Sequence, residues 1–146
     1  MPLVKRFEDL QAWQEARKLT QQIYALTQEV RFYRDRGLVD QIRRATVSVM
    51  NNIVEGFDSG SSAEFVKFLG YARRSGSEVQ SCLYAALDQG YLSQATFQAA
   101  YDGAERARSL TAGFIRYLRR MQSSRKLTRT SALPYRSTSE RMHVRT

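Results

Sequence analysis

Few side chains in this chain are equipped for chemistry. The 146 residues contain one His, His143, and one Cys, Cys82. A di-iron centre in a helical bundle takes two Glu-x-x-His pairs, which a single His cannot supply, and one Cys excludes an internal disulfide and any multi-cysteine zinc site. Cys82 falls on an apolar helical face with no His in the folded part to activate it, so it reads as a small buried hydrophobe. Glu55 and Glu78 could form a carboxylate pair for acid/base work. Solvated roles fit them better, because Arg74 precedes Glu78 by one helical turn and Glu55 shares a stripe with Arg44. No Gly-rich phosphate loop, Ser/His/Asp set or dinucleotide fingerprint is present. The expectation is a chain with no enzymatic activity, metal or cofactor.

Basic residues are the remaining signal. The formal net charge is +9, with 23 Lys+Arg against 14 Asp+Glu. Residues 1–121 contribute +4 and residues 122–146 contribute +5. Lys67 and Arg74 share one helical face with Arg73 beside it; Arg106, Arg116 and Arg120 fall together further on, and Arg108 and Arg119 lie on another side. Arg125, Lys126, Arg129, Arg136, Arg141 and Arg145 follow. Arginine suits bidentate phosphate contact and stacking on bases, so the pattern predicts salt-sensitive nucleic-acid binding without sequence readout. Most aromatics recur at helical spacing and read as core. Phe32, Tyr33 and Tyr135 neighbour basic residues outside the periodic segments and are the candidates for base stacking.

The elements that must position these residues are helical. The only prolines are Pro2 and Pro134, which leaves a long stretch free of a helix breaker. Leu10, Trp13, Ala16, Ile23, Leu26 and Val30 recur at mostly three- and four-residue spacing and predict a first helix over residues 8–30. A connection is expected around 31–37, and a second helix from Leu38 to Phe57. That helix carries apolar residues over roughly 200° of its circumference, more than one packing partner requires. Its opposite stripe is polar, with Gln41, Arg44, Ser48, Asn52 and Glu55. A capping box at Ser61–Glu64 opens a third helix, which ends at Gly90. Ser93 caps a fourth, running to Met121. Short loops between four helices predict an all-α, up-down-up-down antiparallel bundle over residues 1–121. Residues 122–146 read as a disordered basic tail.

The residues of the first three helices resemble a known family. Phe7-Glu8-Asp9-Leu10 with Trp13-Gln14 and Ala16, then Gly37-Leu38-Val39-Asp40-Gln41-Ile42-Arg43-Arg44-Ala45 running into Ser48-Val49, Asn52-Ile53 and Glu55-Gly56, resemble the four-helix-bundle proteins encoded by intervening sequences in bacterial 23S ribosomal RNA genes. The resemblance covers about residues 7–120, and Gly90-Tyr91-Leu92 matches the family's next turn. In the third helix Ala72, Ser75, Glu78 and Val79 fit the family pattern, whereas Arg74 stands where the family has Gly and Gly76 where it has Leu. Close packing is expected to differ there. The resemblance implies a ring of five identical subunits with no enzymatic activity. It extends to the accessory variability protein of diversity-generating retroelements, which binds nucleic acid and a reverse transcriptase through a positive surface.

Two functional expectations follow. The first is a non-catalytic, homo-oligomeric nucleic-acid-binding accessory protein, with RNA favoured over DNA and a reverse transcriptase as a possible partner. Its phosphate contacts are Lys67, Arg73, Arg74, Arg106, Arg108, Arg116, Arg119, Arg120, Arg125, Lys126 and Arg129. Arg43, Val47, Met50 and Val54 form its assembly surface, and Gln41, Arg44, Ser48, Asn52 and Glu55 its polar network. The second is an adaptor whose basic face docks an acidic protein. The lack of a signal-peptide order, of a long apolar run and of cysteine pairs places either one in the cytoplasm and away from membranes.

Overall fold

The computed structural model describes residues 4–132, with side chains to Arg125. A 3-10 turn, Phe7–Asp9, precedes five helices: α1 (Gln11–Leu26), α2 (Val30–Arg34), α3 (Arg36–Asp58), α4 (Ser62–Asp88) and α5 (Gln94–Ala132). No strand occurs among the described residues.

Local sequence sets the helix ends. The Ser61 hydroxyl accepts from the Glu64 N–H at 3.2 Å, and the Ser93 hydroxyl from the Thr96 N–H at 3.1 Å. Each satisfies a donor that the first turn leaves without a helical partner. Glu64 does not complete the expected capping box; its carboxylate reaches Lys67 Nζ at 3.7 Å instead. Gly60 and Gly90 sit at φ 75°, where a side chain would strain the backbone.

The expected connection at 31–37 contains a helix of its own. Phe32 is fully buried and stacks on Tyr91 with ring centroids 5.3 Å apart, which removes it from the stacking candidates. Capping on both sides holds α2 in place. The Glu29 carboxylate accepts from the Phe32 N–H at 3.0 Å, and Asp35 accepts from the Leu38 N–H at 3.3 Å. Asp35 also receives the Tyr91 hydroxyl at 3.0 Å, a bond that raises the Tyr91 phenol above its ordinary value.

The four long helices close a ring in which each packs on two others: α1 on α3, α3 on α4, α4 on α5 and α5 on α1. Cross-helix contacts run in opposite order along every pair, as antiparallel neighbours require. Thr20 meets Met50 while Arg43 meets Thr27; Ser48 meets Ser75 while Gly56 meets Phe65. The up-down-up-down bundle expected from the sequence is therefore the fold. One core cluster, at the α2 end, joins Leu19, Ile23, Phe32, Ile42, Val79, Leu83 and Phe97. The other joins Leu10, Ala16, Val49, Ile53, Leu69 and Ile115. At about 1.5–3 kcal/mol for each fully buried large apolar side chain, these two clusters supply most of the drive to fold.

The C-terminal helix departs from expectation. Rather than ending at Met121, α5 continues to Ala132. Gln, Arg, Lys and Leu are good helix formers, and no breaker intervenes until Pro134, which disfavours helix in the residue before it. Among the α5 residues whose side chains are described, Leu118 is the last packed on a core cluster, and the helix runs about 20 Å further. The remainder of the expected tail, with Tyr135, Arg136, Arg141, His143 and Arg145, lies outside the described residues.

Two helical glycines make opposite predictions. A Cβ at Gly56 would sit 2.7 Å from Phe65 Cδ1 and 3.0 Å from Phe68 Cβ, whereas one at Gly70 meets nothing within 4 Å. Gly56→Ala is expected to destabilise by about 1–3 kcal/mol through overpacking. Gly70→Ala is expected to stabilise by about 0.5–1 kcal/mol. Urea denaturation of the two variants reads both, and equal midpoints would contradict the packing described.

Candidate nucleic-acid interface

The antiparallel order brings the start of α4 and the end of α5 to the same end of the bundle. Lys67 lies at that end of α4, with Arg73 and Arg74 further along it. Arg116, Arg119, Arg120 and Arg125 are exposed and have no acidic partner among the described residues. Arg116, Arg119 and Arg120 occupy one helical face by their three- and four-residue spacing, and Arg125 the opposite side. Lys126 and Arg129 continue the series in sequence, but their side chains lie outside the described residues.

The other cations on the expected surface are partly engaged. Arg106 Nε lies 3.7 Å from the Glu15 carboxylate. Lys67 pairs with Glu64 and sits 5.8 Å from the Phe68 ring centroid. Arg74 covers Tyr71 at 5.8 Å rather than pairing with Glu78. Exposed pairs of this kind are worth little, so Arg106, Lys67 and Arg74 stay available to a polyanion. Arg73 is exposed, and its carbonyl accepts the Ser77 hydroxyl.

Arg108, expected as a phosphate contact, is instead held within the bundle. Its side chain is only 25% exposed, and Nη1 donates to Gln80 Oε1 at 3.1 Å and to Glu105 at 3.2 Å. Gln80 is itself buried and donates to the same Glu105 carboxylate at 3.0 Å. The stem of Arg108 lies across Gly76, where a Cβ would stand 2.6 Å from Arg108 Cγ. This explains the departure at Gly76: α4 gives up a side chain so that an arginine from α5 can cross it. Arg108 thus ties the two helices together and leaves the set of free phosphate contacts.

The polar stripe of α3 is only partly a network. The Ser48 and Ser75 hydroxyls share a hydrogen bond of 2.8 Å between α3 and α4, and Asn52 Nδ2 donates to the Ser48 hydroxyl at 3.0 Å. Ser75 was not in the expected network, because a partner across helices leaves no mark in spacing along one helix. Gln41, Arg44 and Glu55 remain exposed. Arg44 and Glu55 line an open groove of about 700 Å³ on the α1 side of α3. Gln41 and Glu78 line a second groove of about 470 Å³ on the α4 side, so Glu55 and Glu78 form no carboxylate pair.

Of the expected assembly residues, Val47 and Val54 are half-buried on α3. Arg43 and Met50 have partners within the chain. Arg43 Nε donates to Thr27 Oγ1 at 2.9 Å with its guanidinium over Tyr24, and Met50 Sδ accepts from Thr20 Oγ1 at 3.1 Å. The wide apolar arc of α3 is therefore met largely by α1 and α4.

Burial, with a smaller contribution from Glu78, pushes the Cys82 thiol up, the reverse of what a nucleophile needs. Among the described residues no three His, Cys, Asp or Glu converge as metal ligands, and no helix is long and apolar enough to cross a membrane.

Fold and surface together define an antiparallel four-helix bundle whose last helix carries, from Arg116 to Arg125, exposed arginines with no acidic partner among the described residues. The chain belongs to the 23S rRNA-intervening sequence protein family, which it matches over residues 8–113. It is similar in structure to a protein of unknown function from the S23 ribosomal protein family of Bacteroides thetaiotaomicron. The TM-score is 0.67 at 19% identity, covering 71% of this chain and 97% of that one. No curated protein matches the sequence.

The crossing of Gly76 by Arg108 makes a prediction. Gly76→Ala should displace the arginine and cost about 1–3 kcal/mol, and adding Arg108→Ala should recover part of that loss. A double-mutant cycle in urea tests this; strictly additive losses would show that the two positions do not touch.

Proposed function

We propose that this chain is a non-catalytic nucleic-acid-binding protein that acts as a homo-oligomer and holds RNA through phosphate contacts. One observation carries the reading: from Arg106 to Arg136 the sequence has no Asp or Glu, and its exposed arginines lie on a helix that continues past the bundle. A rigid helix holds these cations in a fixed array, so less side-chain and backbone entropy is lost on binding than for a disordered tail. Neutralising phosphates releases counterions, and affinity then falls with salt by nearly one logarithmic unit per contact on a duplex. Half-buried Val47, which lines an open groove, and half-buried Val54 on the same side of α3 support self-association through that helix, which would multiply the charge of each chain and gain avidity.

The finer reading, an accessory protein to the reverse transcriptase of a diversity-generating retroelement, rests on the sequence resemblance. Co-purification with such an enzyme tests it. If the chain instead bound an acidic protein tightly and RNA only weakly, the adaptor reading would replace the proposal.

Replacing Arg116, Arg119, Arg120 and Arg125 together by Gln should lower the slope of log affinity against log salt by about 3 units on duplex RNA. The circular dichroism should not change, since none of the four packs on the core. A slope equal to that of the parent protein would place the phosphate contacts elsewhere.

A further inference from the structure

The opposite end of the bundle carries a second arrangement suited to nucleic acid, built on α2. Burying Phe32 turns its neighbour Tyr33 outward, since successive helical residues are 100° apart. Tyr33 is 47% exposed, and Val30, one turn before it, is 60% exposed. The Arg36 guanidinium lies over the Tyr33 ring at 4.5 Å from its centroid. One face of the ring is thus held by a cation while the side chain remains open to solvent. Arg34 is exposed and has no hydrogen-bond or ionic partner among the described residues.

The scaffold beneath is fixed. The Glu29 and Asp35 side chains cap the flanking helices. Arg31 donates to the Gly90 carbonyl at 3.2 Å and the Gln89 carbonyl at 3.3 Å, clamping α2 to the end of α4. Beyond its contact with Arg36, the Tyr33 ring packs on neither core cluster. Glu29 and Asp35 face the backbone as caps and Asp40 lies on Arg36 at 3.5 Å, so Arg34, next to Tyr33 in sequence, is the exposed cation of this corner without an ion pair among the described residues.

We infer that Tyr33 is a stacking platform for an unpaired RNA base, with Arg34 contacting the adjoining phosphate and Arg36 holding the ring in place. The exposed Arg34 and the small size of the open surface favour this occupant. An exposed surface of two apolar side chains is far smaller than the roughly 1,000 Å² of a specific protein interface, whereas one base covers one ring. Every base has a π-face, so the site selects single strands over duplexes without reading sequence. The inference rests on the nucleic-acid reading above and adds to it the preference for unpaired nucleotides.

The test is fluorescence anisotropy of the full chain with a labelled single-stranded RNA of about 15 nucleotides and a perfectly paired duplex of the same length. Tyr33→Ala should weaken single-strand binding about tenfold and leave duplex binding within about twofold, while Tyr33→Trp should keep both. Equal affinities for Tyr33→Ala and the parent protein on the single strand would overturn the inference and leave the α5 reading intact. So would an equal loss on both probes, or a loss of self-association in light scattering with RNA binding unchanged, which would make Tyr33 a protein contact. If the parent protein bound neither probe, the nucleic-acid reading would fail, and this inference with it.

Discussion

An α3 helix that is apolar around more than half its circumference must be gripped from two sides, and the rest of the bundle follows from that requirement. Val39, Ile42, Ala45, Val49 and Ile53 are buried on one side of its apolar arc, half-buried Val47, Met50 and Val54 widen it, and α1 and α4 pack on it from its two flanks. With α1 on one flank and α4 on the other, α5 is left to close the ring between them. The closure depends on close approach: Gly56 admits Phe65 and Phe68, and Gly76 admits the stem of Arg108. Some of the polar groups of the body are committed to holding helices together. Ser48 with Ser75, and Gln80 with Glu105 and Arg108, span neighbouring helices. Thr27 and Thr111 instead return their hydroxyls to carbonyls one turn earlier, a local solution to burial.

That commitment explains why the surface, rather than an enclosed site, carries the functional argument. The grooves along α3 are open and lined by charges of both signs, with Arg44 standing between Asp40 and Glu55 on one side and Glu78 on the other. The one thiol is buried and harder to ionise than usual. Among the described residues, exposed arginines without an acidic partner run along the C-terminal part of α5 from Arg116 onward. A helix that continues after its packing has ended keeps its arginines at fixed spacing while leaving them free of the body.

Much of this was legible in the sequence. Period and capping chemistry located the four long helices, and Ser61, Ser93 and Gly90 act at the helix ends where they were expected to. The five residues of α2 were not legible, because one helical turn is too short to show periodicity and Phe32 looks like a loop aromatic until Tyr91 is seen to stack on it. The overrun of α5 was hidden by composition. A polar, basic run reads as a tail, although its residues are good helix formers and nothing before Pro134 stops them. Arg108 and Ser75 mark a different limit, since the role of each is set by a residue on a neighbouring helix. Arg116, Arg119, Arg120 and Arg125, expected from the sequence as phosphate contacts, are exposed on α5.

The central claim, that the overrunning part of α5 is a helix in solution and the place where RNA is held, is open to hydrogen–deuterium exchange on the full chain with and without RNA. The account predicts measurable protection of amides from Arg119 to Ala132 in the free protein, weaker than in the core, rising sharply on RNA addition. Random-coil exchange there in both states, with any RNA-dependent protection confined to α1 and α3, would contradict it.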